Sequence, residues 1–312
     1  MRGDVPGRIE RELADLRTGV PDPAIGLYGP GSKSWEIGRE SLLFLGGGKA
    51  ALLQLAHPFV AHAIDRHSRT RSDPFGRFRR TFESVFRMVF GDLDAALGAA
   101  RRVHAIHSRV TGRLDERVGP FPPGTPYHAS DPEASLWVHA TLIETAIEVY
   151  GLVVRPLSYA ERDRYYRESK RFARLFAIPE SILPRDWSAF SDYYRSMIAS
   201  ETLTVGRAAR ELGGFLFDPG PRFQRPAFRW LEIMTAGLMP ERLREDFALS
   251  YGSFERAVFQ ASLAALRALH PRLPRRLRYV PAYFEACRRL ERRACPDRAS
   301  SAGPRRAWRA GC

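Results

Sequence analysis

Apolar residues recur along this chain at intervals of three and four, and the period breaks only where proline and glycine interrupt it. Ile9, Leu13 and Leu16 stand at helical spacing among charges and predict a short N-terminal helix. Pro21, Pro23, Gly26, Gly29, Pro30 and Gly31 then predict a loop before Trp35. Residues 36–63 are strongly apolar but are broken by Gly46, Gly47, Gly48 and Pro58. Two helices, or one interrupted helix, are expected there, buried on most sides. Asp73-Pro74 is a cap followed by a proline suited to a first turn, and Phe78, Phe82, Val85, Phe86 and Val89 carry the helix to a stop at Gly91.

Residues 92–112 read as the next helix, with Leu93, Leu97, Ala100, Val103, His107 and Val110 on its apolar side. That spacing turns His107 inward, with His104 nearby. Beyond a Pro/Gly loop, Leu136, His139, Ala140, Ile143, Ile147 and Tyr150 form one face of a long helix opened by Asp131-Pro132. Ser158 caps a charged helix to Phe176, and further helices are predicted over 190–198, 224–239, 240–249, 251–269 and 281–293. No strand-like alternation of useful length and no internal repeat appears. The fold class is therefore all-α, a single multi-helix globular domain over 21–294 with an N-terminal arm (1–20) and a basic tail (295–312) expected to be disordered.

Composition agrees with a folded domain, since 44% of the 312 residues are hydrophobic and 27% charged. Charge is less even. Thirteen arginines against Glu285, Glu291 and Asp297 put +10 of the net +14 into the last 46 residues. A basic end can meet phosphates of nucleic acid or anionic lipid. No zinc finger, RNA-binding signature or helix-turn-helix accompanies it, so no specific nucleic-acid partner is expected. Cys287, Cys295 and Cys312 make neither a disulfide framework nor a zinc site. The N-terminus has no apolar core of signal-peptide length, and no stretch approaches 18 apolar residues. A cytoplasmic protein without a transmembrane segment is expected, and assembly as a homo-oligomer is left open.

Candidate chemistry concentrates between Gly46 and Gly112, which with His139 holds six of the eight histidines. Gly46-Gly47-Gly48-Lys49 imitates a phosphate-binding loop but has Leu43 and Ala50 where that loop needs glycine and serine or threonine. Glu144 and Glu148, four apart, suggest a di-iron bundle. Such a site needs Glu-x-x-His, which no histidine here completes, so solvated or supporting glutamates are the better reading. His107 and His139 read equally well as core histidines with satisfied hydrogen bonds or as ligands.

The chain resembles the MpaB-like and rubber-oxygenase family. The resemblance is carried by Leu27-Tyr28-Gly29-Pro30-Gly31-Ser32-Lys33-Ser34-Trp35, Gln54-Leu55-Ala56-His57-Pro58, His67-Ser68, Asp73-Pro74, Arg77-x-x-Arg80-Thr81, His107-x-x-Val110-x-Gly112 and Trp137-Val138-His139-Ala140-Thr141. It covers 27–197 and continues more weakly to Arg289. Members called latex clearing proteins are all-α enzymes that use haem b and dioxygen to cleave carbon–carbon double bonds in polyisoprene, and fungal members cleave an isoprenoid side chain.

What the resemblance implies is an interior haem pocket with His107 as the proximal iron ligand, His139 as its rival, and Arg77 and Thr81 in the distal half. Where latex clearing proteins carry an iron-binding lysine, this chain has Arg80, whose guanidinium stays protonated and cannot coordinate. An open or water-bound iron follows from that change. Glu144 is the candidate partner for the ligand's second ring nitrogen. The implied partners are dioxygen and a small apolar, isoprenoid or acyl-like substrate rather than polyisoprene. Two alternatives stand beside this reading: a haem peroxidase or monooxygenase on the same fold, and a non-catalytic helical protein that binds lipid or another ligand.

Overall fold

The computed structural model describes residues 5–68, 74–217 and 222–294. Its first helix, α1 (Val5–Thr18), buries Ile9, Leu13 and Leu16 in one cluster with Leu97, Ala100, Phe172 and Leu175. Arg101 and Arg174 pin it from outside through Glu10 and Glu12. Then follow α2 (Lys33–Gly38), a 3-10 turn (Ser41–Gly46), α3 (Gly47–Leu55), α4 (Pro58–His67), α5 (Pro74–Phe90) and α6 (Leu93–His107). Beyond a small sheet come α7 (Pro132–Val153), α8 (Tyr159–Leu175), α9 (Trp187–Ala199) and α10 (Arg207–Leu216). The chain continues with α11 (Arg225–Leu238), α12 (Glu241–Asp246), α13 (Ser253–Leu269), α14 (Arg275–Arg278) and α15 (Pro281–Ala294).

Caps written in the sequence start many of these helices. Ser32, Asp92, Asp131 and Asp186 each accept a first-turn amide, and Ser158 and Glu161 close a reciprocal capping box. Asp73, the cap expected for α5, lies outside the described residues, as does the basic tail 295–312.

The apolar stretch 36–63 is divided more finely than its pattern suggests, and its glycines explain why. A Cβ on Gly46 would lie 2.3 Å from Cγ2 of Thr145, and one on Gly48 would lie 2.1 Å from Oγ1 of Thr235. The glycines therefore let the 3-10 turn and α3 lie directly on α7 and α11. Helix α6 also ends at His107, not at Gly112. Thr111–Arg113 (β1) leaves to pair antiparallel with Pro126–His128 (β2), Thr111 opposite His128, and the aromatic ring of Tyr127 fills the space beside Gly112. The expected helix over 240–249 shrinks to α12, because Ala248 turns left-handed with φ 53° and lets the amide of Leu249 bond Arg244.

Helix α7 is the axis around which the rest packs. Trp137, Ala140, Ile143, Ile147 and Tyr150 are buried along it, and the indole of Trp137 donates to Leu53 O at 2.8 Å. Among the described residues α7 alone is long and apolar enough to cross a membrane, yet 61% of its apolar window is enclosed by the protein. It reads as a core helix. At the opposite side Glu40, 1% exposed, accepts from Arg278 (Nη2, 2.8 Å) and faces His270 Nε2 at 2.9 Å. This buried clasp joins the start of the domain to its C-terminal helices, and Val280 N on Arg39 O continues the join.

Candidate functional site

Phenylalanines on two elements define the main cavity. Phe82, Val85, Phe86 and Val89 recur at helical spacing on α5 and face Phe44 of the 3-10 turn, whose ring is 4.7 Å from Phe82. Leu142, Ile143 and Ala146 of α7 and Ser169 and Phe172 of α8 complete an apolar cavity of about 150 Å³. A cavity of that size lined by such residues suits a benzene-sized apolar ligand. The few polar groups in its wall are largely engaged: Ser34 Oγ donates to Glu168, Tyr28 OH to Glu168 O, and Ser169 Oγ to Tyr166 O.

His139 stands on the same face of α7 as Leu142, Ile143 and Ala146, and its ring stacks on the cavity residue Phe172 at 6.1 Å. Its Nε2 is 3.4 Å from Ser169 Oγ, and its buried Nδ1 has no hydrogen-bond partner. Burial pushes its pKa down to about 4, so the ring is neutral at physiological pH. His107 differs. It closes α6 half-buried, while His104 is the buried histidine of that pair, with Nε2 3.0 Å from Leu175 O. Burial, with His104 and His128 close by, also lowers His107 to about 4. His57 is a third neutral histidine, buried beside Phe59 and Phe121, with Nδ1 unpartnered and a pKa lowered by burial to about 4.

Arg80 and Thr81 are exposed on α5, and neither lines the cavity. The backbone of Arg77 belongs to α5, but its side chain lies outside the described residues. The structure thus brings His139 against Phe172 and Ser169 of the cavity wall, one layer behind it, and brings none of Arg80, Thr81 and His107 to the wall.

Glu144 is not the partner of a histidine, and Glu144 and Glu148 are not simply solvated. Both clasp Lys49, whose Nζ is 2.7 Å from Glu144 and 2.5 Å from Glu148 and sits 5.9 Å from the Tyr194 ring centre. Burial works against the ammonium, but Glu144, Tyr194 and Glu148 outweigh it and hold the pKa above the ordinary lysine value. Burial in turn raises Glu148 despite the nearby Lys49. A sequence signal for the cluster existed: Lys49 is the single formal charge in 41–64, and the two glutamates are the only ones in 134–154.

One further group, His62, Asp115 and Glu116, gathers three possible metal ligands. Its carboxylates are already engaged, Asp115 by cations and Glu116 by a backbone amide. Arg66 and Arg207 approach Asp115 Oδ2 at 3.1 and 3.0 Å, and the amide of Arg207 donates to Glu116. It reads as an ion-pair network.

Residues 35–268 match the family described as ER-bound oxygenase mpaB/B'/rubber oxygenase, catalytic domain. The chain belongs to this family. The rubber-oxygenase catalytic domain thus runs from Trp35 in α2 to the last turn of α13 and includes every wall of the cavity except Tyr28, Ser34 and Val280. Two similar proteins are the uncharacterized protein Mb2261 of Mycobacterium bovis and the uncharacterized protein Rv2237 of Mycobacterium tuberculosis. Each is 25% identical over 236 residues, covering 72% of this chain and 88% of its own length. No solved structure matches. The function implied for the domain is therefore that of its family, an oxygenase, and no named activity comes from these relatives.

Proposed function

We propose that this protein is a haem b-dependent oxygenase acting on a small apolar substrate, with oxidative cleavage of a carbon–carbon double bond by dioxygen as its reaction. The observation that carries the reading is an apolar cavity whose wall residues Phe172 and Ser169 are backed by a neutral imidazole with one unpartnered nitrogen, within an oxygenase catalytic domain. The donor chemistry fits. A haem iron takes a neutral imidazole as its axial ligand, and burial keeps both His107 and His139 neutral at physiological pH. His107 is the proposed ligand, on the resemblance of its motif, and His139 is the alternative, on its place directly behind Phe172 and Ser169 of the cavity wall.

When bound, haem supplies the site at which dioxygen is activated. The chain's own residues do the rest. Phe44, Phe82 and Phe86 give the substrate an apolar, water-poor surface, and a benzene-sized volume restricts it to a short branched or cyclic segment. Ser169 keeps a hydrogen-bonding group near His139 Nε2 and thereby orients the ring. Arg77, a permanent cation, is the residue that would stabilise negative charge developing on the reacting group.

Absorption spectroscopy of protein produced with ample haem tests the reading. Wild-type protein is expected to carry near-stoichiometric haem with a Soret band, His107→Ala to lose it, and His139→Ala to keep it. Loss in His139→Ala with retention in His107→Ala transfers the ligand role to His139. A wild-type protein that stays colourless after reconstitution overturns haem dependence.

A further inference from the structure

Helix α13 buries Phe259 and Leu263 on its inner side, while its exposed side divides into a polar part, with Arg256, Gln260 and Arg267, and an uncharged part. Phe254, Ala257, Ala261, Ala264 and Ala268 fall at intervals of three and four on one outward face, Leu269 flanks its C-terminal end, and every one of them is exposed. Phe254 and Leu269, at its two ends, are 68% and 55% exposed. That face runs the length of a 17-residue helix, about 25 Å, without a charged residue, in a chain of which 27% is charged. An uncharged strip of this length on a surface marks an interaction site.

The surroundings of the strip say what covers it. From Ser253 to Arg276 the chain has five arginines and one acid, Glu255, and Glu255 is already paired with Arg229. Arg256 lies over the Tyr251 ring, while Arg267 and Arg272 donate to the carbonyls of Leu152 and Ala268, so these three keep their charge without an acidic partner in those contacts. Arg275 and Arg276 are exposed on α14 beside Leu277, itself 67% exposed. A second copy of the chain fits poorly. A stable dimer buries about 800 Å² per partner, more than an alanine face one helix wide provides, and a two-fold contact would bring arginines against arginines. An anionic bilayer fits both properties, since apolar side chains enter its interface and each nearby arginine is drawn to its negative surface.

We propose that the outward face of α13, with the arginine-rich turn and short α14 that follow it, docks on an anionic phospholipid surface. The attachment is peripheral and needs neither a spanning helix nor the bound cofactor, so it stands or falls separately from the oxygenase reading. It would place a domain with an apolar cavity at a surface where apolar compounds collect.

Co-sedimentation of the full chain with vesicles tests it. The protein is expected to bind vesicles of phosphatidylcholine mixed with phosphatidylglycerol, to bind phosphatidylcholine alone far less, and to be released as NaCl rises from about 0.1 to about 0.5 M. Ala261→Glu and Leu269→Glu, both at exposed positions, are each expected to lower the partition constant about tenfold with no change in melting temperature. Two variants guard against one failing to fold. Equal binding to neutral vesicles overturns the proposal. So does wild-type binding by both variants, which would assign attachment to residues 295–312, and so does a variant that changes the oligomeric mass, which would assign the face to contacts between copies.

Discussion

Replacing Glu144 and Glu148 together by glutamine is expected to destabilise the protein by about 3–5 kcal/mol, and replacing Lys49 by methionine by only about 1–2 kcal/mol. The asymmetry follows from where the three groups sit. The Lys49 side chain is 3% exposed, while those of Glu144 and Glu148 are 24% and 31% exposed. Without its carboxylates the ammonium is left charged among Trp137, Tyr194 and the glycine-packed start of α3, and it must either lose its proton or drag the helix toward water. Without the ammonium, the two carboxylates can turn outward and hydrate. They then repel each other across one helical turn, which costs a few tenths of a kcal/mol.

Methionine also fills the volume of the lysine stem, which limits cavity formation beside Ala50 and Leu53. Urea denaturation of the two variants against the wild type reads the difference directly. Equal losses would mean that Lys49 reaches water as easily as the glutamates do, contrary to its burial. The cluster belongs to a polar seam between α3 and α7 that also includes Gln54 Nε2 on Thr141 Oγ1 at 3.0 Å, so the larger loss is expected to loosen that helix pair first.

Acid is the second large lever, and His57 is its clearest handle. Burial drops the His57 pKa from 6.5 to about 4, with Asp131 opposing the shift only in part. The unfolded chain takes up this proton near pH 6.5 and the folded chain does so only near pH 4. Between those values the unfolded state binds more protons, so stability rises with pH there and is lost as pH falls through the window. One such group contributes a slope of about 1.4 kcal/mol per pH unit and a total of about 3 kcal/mol across the window. Above pH 6.5 the contribution is complete and flat.

His57→Gln is expected to keep the fold at pH 7.5 and to flatten the decline in stability between pH 6.5 and pH 4 by about one proton's worth. Stability measured at a series of pH values checks the slope, which a purely packing effect of the substitution would leave parallel to wild type. The same sign applies to His139 and His107, both lowered to about 4, whenever no ligand holds them.

The helices and their starts were legible because they depend on neighbours in the chain. Ser32, Asp92, Asp131, Ser158 and Asp186 cap where their side chains can reach an amide within the first turn, a geometry set by spacing alone. The phenylalanine stripe of α5 and the Leu136, His139, Ala140, Ile143, Ile147 and Tyr150 face of α7 were likewise written as periods of three and four. Family membership too was present in the order of short motifs from Trp35 onward.

What the sequence could not determine lies between elements far apart in the chain. Which side of α6 faces the core was misjudged at its end, where His104 is buried and His107 only half so, because β1 draws the chain away after His107. The partner of Glu144 depended on α3 lying against α7, and that closeness rests on Gly46, just before α3, leaving no room for a side chain beside Thr145. The outward face of α13 was invisible for a related reason. A period of three and four gives two apolar faces on that helix, and only the packing of α11 and α7 against the core side decides which one is left to the solvent. Local spacing determines what each segment can become, and tertiary contact alone decides which faces, charges and histidines meet, because the energy of burial and ion pairing belongs to pairs that the chain order does not relate.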